Sequence, residues 1–146
     1  MSLDGTYERD NIFARIVRGE LPAARICEDA TTLAFMDAFP QSRGHCLVIH
    51  KASRARDLLD AEREVLAQIM VTTQRVARAV RLALQPDGIM VSQFNGSAAG
   101  QTVFHLHVHV IPRWRDVPLG RHAGGGMAVM AELEVLARQI AERLGP

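Results

Sequence analysis

Phe104-His105-Leu106-His107-Val108-His109-Val110 is the stretch on which the reading of this chain turns. Side chains alternate across an extended strand, so Phe104, Leu106, Val108 and Val110 share one face. His105, His107 and His109 share the other, spaced by roughly 6.5–7 Å at the ordinary strand rise. The apolar set can pack against a helix while the imidazoles border a pocket. Three chemistries suit such a row. It can be a polar solvent face, although half of the chain's six histidines at strict alternation make a poor accident. It can be a metal site, since imidazole is a common zinc ligand, but no carboxylate or thiolate completes the set nearby in sequence. Or it can handle phosphorus: an aimed imidazole with one bare nitrogen is a nucleophile, and charged imidazolium neighbours offset the developing negative charge.

Just upstream, the run from Asn95 to Thr102 (NGSAAGQT) favours phosphorus. Asn95-Gly96 and Gly100 allow tight turns in which amides converge on an anion. Gln101 and Thr102 add side-chain donors beside the histidines. The spacing predicts strands over residues 89–94 and 103–111 on either side of this loop. Further out, residues 23–28, 32–37 and 45–50 read as three more strands. Residues 60–84 carry apolar residues at three- and four-residue steps, a helix that Asp60 would cap. Residues 11–18 read as a short helix with Ile12, Ile16 and Phe13 as its inward candidates, ended by Gly19. Residues 128–144 form a second amphipathic helix after a loop over 114–126. Strands in hairpin succession predict an α+β domain with a mostly antiparallel sheet.

At 146 residues the chain suits one domain, with residues 1–10 as a flexible arm and 11–146 as the folded unit. A net charge of +1 argues against a nucleic-acid binder. Cys27 and Cys46 form no disulfide framework, the first ten residues are polar, and no run is long and apolar enough for a membrane. These features point to a cytoplasmic protein with no membrane partner.

Gly100 to Arg113 (GQTVFHLHVHVIPR) resembles the signature of the histidine triad (HIT) family. Residues 11–13 (NIF), 18–22 (RGELP), 33–37 (LAFMD) and 44–51 (GHCLVIHK) resemble its N-terminal half, so the likeness runs over about residues 10–115. The resemblance implies a five-stranded, mostly antiparallel sheet with two main helices and a C-terminal helix, assembled as a homodimer. It also implies hydrolysis or transfer at the α-phosphate of a purine nucleotide conjugate through a nucleotidyl-histidine. On that reading His107 is the nucleophile, His109 contacts the α-phosphate, and His105 orients the triad by hydrogen bonding. Gln101 and Thr102 bind phosphate or the leaving group, with Gly100 and Asn95 on the same side and His45 completing the polar wall. Asp37 accepts the ribose hydroxyls, while Ile12, Phe13 and Phe35 enclose the base.

The family's structural zinc would use positions held here by Asn11, Ala14 and Ser53, together with His105. One imidazole cannot make a tetrahedral site, so no zinc and no other cofactor is expected. Residues 72–76 (TTQRV) and 99–103 (AGQTV) resemble dinucleoside polyphosphate hydrolases, whereas the N-terminal half resembles phosphoramidate hydrolases. A nucleotide-binding or interaction module without catalysis is the alternative in a different class.

Overall fold

The computed structural model describes residues 2–121 and 126–146. Helix α1 (Ile12–Val17) starts where Asn11 Oδ1 accepts the Ala14 amide at 2.9 Å. Strands β1 (Arg25–Glu28) and β2 (Thr32–Met36) form a hairpin turned by Asp29, whose carboxylate takes the Thr31 and Thr32 amides. The Thr32 amide is the main reason that the Asp29 carboxyl lies below its usual range. Strand β3 (Cys46–His50) pairs with β2, and after one 3-10 turn at Leu58–Asp60 comes helix α2 (Arg63–Leu84). Strands β4 (Gly88–Ser92) and β5 (His107–Arg113) follow, then helix α3 (Met130–Ala141).

The sheet order is β1-β2-β3-β5-β4, antiparallel at every pairing. The last strand in sequence therefore inserts between β3 and β4. Each face has its own core. On one, Ala34, Met36, Val48, Leu106, Val108 and Val110 meet Ile69, Val76 and Val80 of α2 and Leu133, Ala137 and Ile140 of α3. On the other, Leu33, Phe35, Leu47 and Ile49 meet Phe13 and Ile16 of α1. Register sets Ile49 opposite His107 and Leu47 opposite His109, so these two imidazoles share the α1 face. Gly44 lets the chain enter β3: its φ is +87°, and a Cβ there would lie 2.3 Å from Leu84 Cδ1.

The structure departs from the sequence reading at several points. The last strand begins at His107, not Val103, because the Leu106 amide bonds to the Ala55 carbonyl at 2.9 Å and draws residues 103–105 into a bend. Strand β4 ends at Ser92. Asp60 does not cap α2: it sits in the 3-10 turn, its carboxylate accepts the Arg56 amide, and Glu62 precedes the helix with no side-chain bond. Ile12 turns outward, 46% exposed, while Phe13 and Ile16 are buried. In the loop expected over 114–126, His122 to Gly125 lie outside the described residues. Among the described residues, no helix is long and apolar enough to cross a membrane.

Candidate active site

A cavity of about 300 Å³ opens on the α1 face, bordered by His107 and His109 of β5. Ile12, Phe13 and Ile16 of α1 form one wall, Phe35 and Leu47 the floor, and Thr102 and Val103 the rim beside the histidines. Asp37 borders it just past the end of β2, and Met130 and Leu133 of α3 close the far end. Phe13 stands edge-on to Phe35 at 5.5 Å and to His107 at 4.9 Å between centroids. Such an apolar slot with a few polar groups at one end suits a flat aromatic ring joined to a polar tail.

The ring protons follow from the hydrogen-bond partners. His107 Nδ1 lies 2.7 Å from the His105 carbonyl oxygen. A carbonyl only accepts, so Nδ1 carries the proton and Nε2 of the neutral ring is its basic atom. His105 Nε2 lies 3.1 Å from the His50 carbonyl and must donate; its Nδ1 then accepts from the Tyr7 hydroxyl at 2.8 Å. On the other side, the Gln41 amide donates to His45 Nδ1 at 3.0 Å, so the proton of a neutral His45 is on Nε2. That proton points at His109 Nδ1, 2.9 Å away, with Asp37 Oδ2 at 3.4 Å from the same nitrogen. A neutral His109 is thereby left with its proton on Nε2. The row thus presents one basic nitrogen on His107 and one N–H on His109, two residues along the same strand.

Burial pushes the His105 imidazole down to about 4, against the opposing effect of its bond to the His50 carbonyl. His105 is therefore neutral at physiological pH and supplies no imidazolium charge beside His107. Burial also raises the thiols of Cys46 and Cys27, so neither is a nucleophile here.

The residues singled out in the sequence divide into two groups. Ile12, Phe13, Phe35, Asp37, Thr102, His107 and His109 border one cavity. His45 stands directly behind His109, and His105 behind His107. The loop residues sit differently. Gly100 and Gln101 border the adjoining surface depression, which shares Ile12, Thr102 and Val103 with the cavity. The buried Gln101 carboxamide binds the Gly96 amide and the Arg56 and Val103 carbonyls. Asn95 Oδ1 accepts the Leu58 amide and the Gln93 side chain, outside the cavity. Both side chains hold the loop. Tyr7, Gln41 and His50 escaped the sequence reading, as nothing local marks a tyrosine or a backbone amide as a partner of a distant imidazole. Met130 and Leu133 stood out only as an apolar stripe.

The donors do not fit the family's structural zinc. Asn11 caps α1, Ala14 has no donor atom, Ser53 Oγ accepts the Ala55 amide, and both nitrogens of His105 are engaged. Asp37, His45 and His109 bring one ligand atom each within 4.8 Å of one another, a second conceivable metal set. The Gln41 amide speaks against it. It claims the Nδ1 lone pair of His45 and so places a proton on Nε2, where a metal needs a lone pair.

The HIT domain model matches residues 18–116. An uncharacterized HIT-like protein of Mycobacterium tuberculosis is 45% identical over 101 residues, 69% of each chain. The adenosine 5'-monophosphoramidase hnt1 of Schizosaccharomyces pombe is 39% identical over 104 residues, 70% of this chain and 73% of that one. Among solved structures, a HIT-like protein involved in cell-cycle regulation from Bartonella henselae aligns with TM-score 0.90 at 43% identity, over 96% of this chain and all of that one. A zinc-bound histidine triad protein from Mycobacterium smegmatis aligns with TM-score 0.79 at 37% identity, over 92% of each. With two thirds of its length under the family model and this fold, the chain belongs to the HIT family.

Proposed function

We propose that this protein is a nucleotide hydrolase or transferase acting at the α-phosphate of a purine nucleotide conjugate, by way of a nucleotidyl group on His107. The observation that carries the reading is the set of hydrogen-bond partners of His107 and His109, from which their ring protons follow, at the polar end of an apolar slot. The base would lie between Ile12, Phe13 and Phe35, with the ribose hydroxyls on Asp37. His107 Nε2 would attack phosphorus in line, forming an N–P bond as the bond to the leaving group breaks. The leaving group departs with that bond's electron pair, an amine taking its proton from solvent. Positive charge on the His107 ring strengthens its Nδ1–H bond to the His105 carbonyl. His109 Nε2–H and the Thr102 hydroxyl would offset charge on the phosphoryl oxygens. Water then attacks phosphorus, loses its proton to solvent, and the N–P bond breaks to release a nucleoside monophosphate. Asn95, Gly100 and Gln101 would act by keeping the loop that carries Thr102 in place.

Support for the reaction class comes from the phosphoramidase name of the fission-yeast relative. Two substrate families fit the slot, phosphoramidates and dinucleoside polyphosphates. The test is intact-mass spectrometry after rapid mixing with adenosine 5'-phosphoramidate and, separately, diadenosine tetraphosphate, with turnover measured on both. Wild type should carry one nucleotidyl adduct and His107→Ala none, with nucleotide binding retained. Turnover by His107→Ala near the wild-type rate would remove His107 from the reaction, and binding without any adduct or turnover would make the chain a nucleotide-binding module.

A homodimer is part of the same reading. β4 ends the sheet with one edge unpaired by β5, and Val91 on it is exposed, as are Met70, Val71 and Leu82 of α2. Exposed apolar side chains on an edge strand and on α2 favour pairing of two copies. Light scattering at micromolar concentration should give twice the chain mass, and a monomer would count against it.

A further inference from the structure

The segment that carries Phe104 and His105 lies just outside β5, so the sheet does not fix it. Residues of the N-terminal arm grip it twice. Half-buried Tyr7 donates its hydroxyl to His105 Nδ1 at 2.8 Å, the two rings 5.7 Å apart. Buried Arg56 lies over the Phe104 ring, 4.9 Å from its centroid, and donates to the Leu3 and Ser2 carbonyls at 3.0 and 3.4 Å. Gly5 lies so close that a Cβ there would come within 2.8 Å of the guanidinium carbon. Together these contacts clamp residues 104 and 105 from the side facing away from the cavity.

We propose that Tyr7 is a positioning residue for the triad: by holding the His105 ring at Nδ1, with the His50 carbonyl at Nε2, it fixes the His105 backbone carbonyl that keeps the His107 proton on Nδ1. The proposal rests on the reading of His107 as nucleophile. The chain of contacts is short and each link has one donor and one acceptor. The Tyr7 O–H supports only the form of His105 whose proton is on Nε2, and that form alone can bond the His50 carbonyl. A ring tethered at both nitrogens leaves residue 105 little freedom, and its carbonyl is 2.7 Å from His107 Nδ1. Without the hydroxyl, a buried Nδ1 loses its partner and the ring one of its two tethers. His107 then divides between its two neutral forms, and the form protonated on Nε2 is no nucleophile. The surface groove that gathers Ala14, Ser53 and His105 also holds Tyr7, so a tyrosine stands where the family's metal ligands are missing.

The test is Tyr7→Phe, which keeps the aromatic ring and removes only the hydroxyl. Protein labelled with ¹⁵N-histidine gives two-bond ¹H–¹⁵N spectra near neutral pH that report which nitrogen of each ring is protonated. Turnover on adenosine 5'-phosphoramidate is measured beside it. Wild type should show His107 in the single form protonated on Nδ1. In Tyr7→Phe we expect a mixture of both forms and a roughly five- to tenfold lower kcat, the loss of one hydrogen bond. KM should stay within about twofold, because Tyr7 does not border the nucleotide cavity. A single His107 form in Tyr7→Phe would overturn the proposal whatever the rate, as would a mixture with unchanged kcat. If wild type turns over no substrate, the nucleophile reading fails, and the His107 spectra alone decide whether Tyr7 holds the ring.

Discussion

Replacing His105 by Gln keeps a donor toward the His50 carbonyl and an acceptor toward Tyr7, but removes a titratable ring from the protein interior. The ring is 2% exposed, and burial lowers it from an ordinary 6.5 to about 4. Its folded value lies below its unfolded one, so between these two pH values the unfolded chain binds more protons. Stability from this group is therefore complete above 6.5 and drains away as pH falls toward 4. Integrated from about pH 7 to about pH 4.5, a shift of this size gives a loss of about 2.5 kcal/mol. Urea unfolding of wild type and His105→Gln at both pH values isolates the term, because every other group is common to the two proteins. Wild type should lose about 2.5 kcal/mol more than the variant over that interval. Equal losses, within about 0.5 kcal/mol, would show that His105 titrates freely and that its ring is not held neutral by burial.

Gly44→Ala adds a methyl group at φ +87°, aimed at Leu84 Cδ1 2.3 Å away; strain and overlap together should cost about 2–4 kcal/mol in urea unfolding, and a cost below about 1 would refute the fit. Asp37→Asn keeps an acceptor for the Phe39 amide but loses the charge facing the proposed ribose. It should raise KM roughly tenfold or more with stability nearly unchanged, and an unaltered KM would move the ribose elsewhere. Dialysis against a chelator should change neither turnover nor melting temperature, since the Gln41 amide on His45 and the use of Asn11 as the α1 cap leave no complete donor set among the described residues; activity restored by added zinc would contradict this.

Alternation made the face of His107 and His109 readable directly, because strand geometry converts sequence parity into side. The helices were readable from periodicity, but their ends were not: Asp60 has the right chemistry for a cap, yet the Arg56 amide captured it. His105 had the correct parity but left the strand, since the Leu106 amide bonds Ala55, a partner some fifty residues away that no local pattern reveals. Gln101 was marked by residue type as an anion donor and Asn95 by resemblance as a phosphate-side contact, and the loop uses both to close on itself. Ile12 was read as core by spacing alone; a six-residue helix has room for only one inward stripe, and Phe13 and Ile16 fill it. The gathering of His107, His109, Asp37 and Phe13 around one cavity was legible; the partners behind them were not, as they are main-chain groups and long-range side chains.

His109 lies where β5 is paired with both β3 and β4, and His107 where it is paired with β3, so both ride on backbone held by the sheet. His105 hangs two residues before the start of that strand, its side chain held by Tyr7. The two parts of the triad therefore have unequal anchorage. On gradual heating the outer part lets go first, so thermal inactivation runs ahead of global melting, and proteolytic trimming of the first residues would produce an intact sheet carrying a misaligned imidazole.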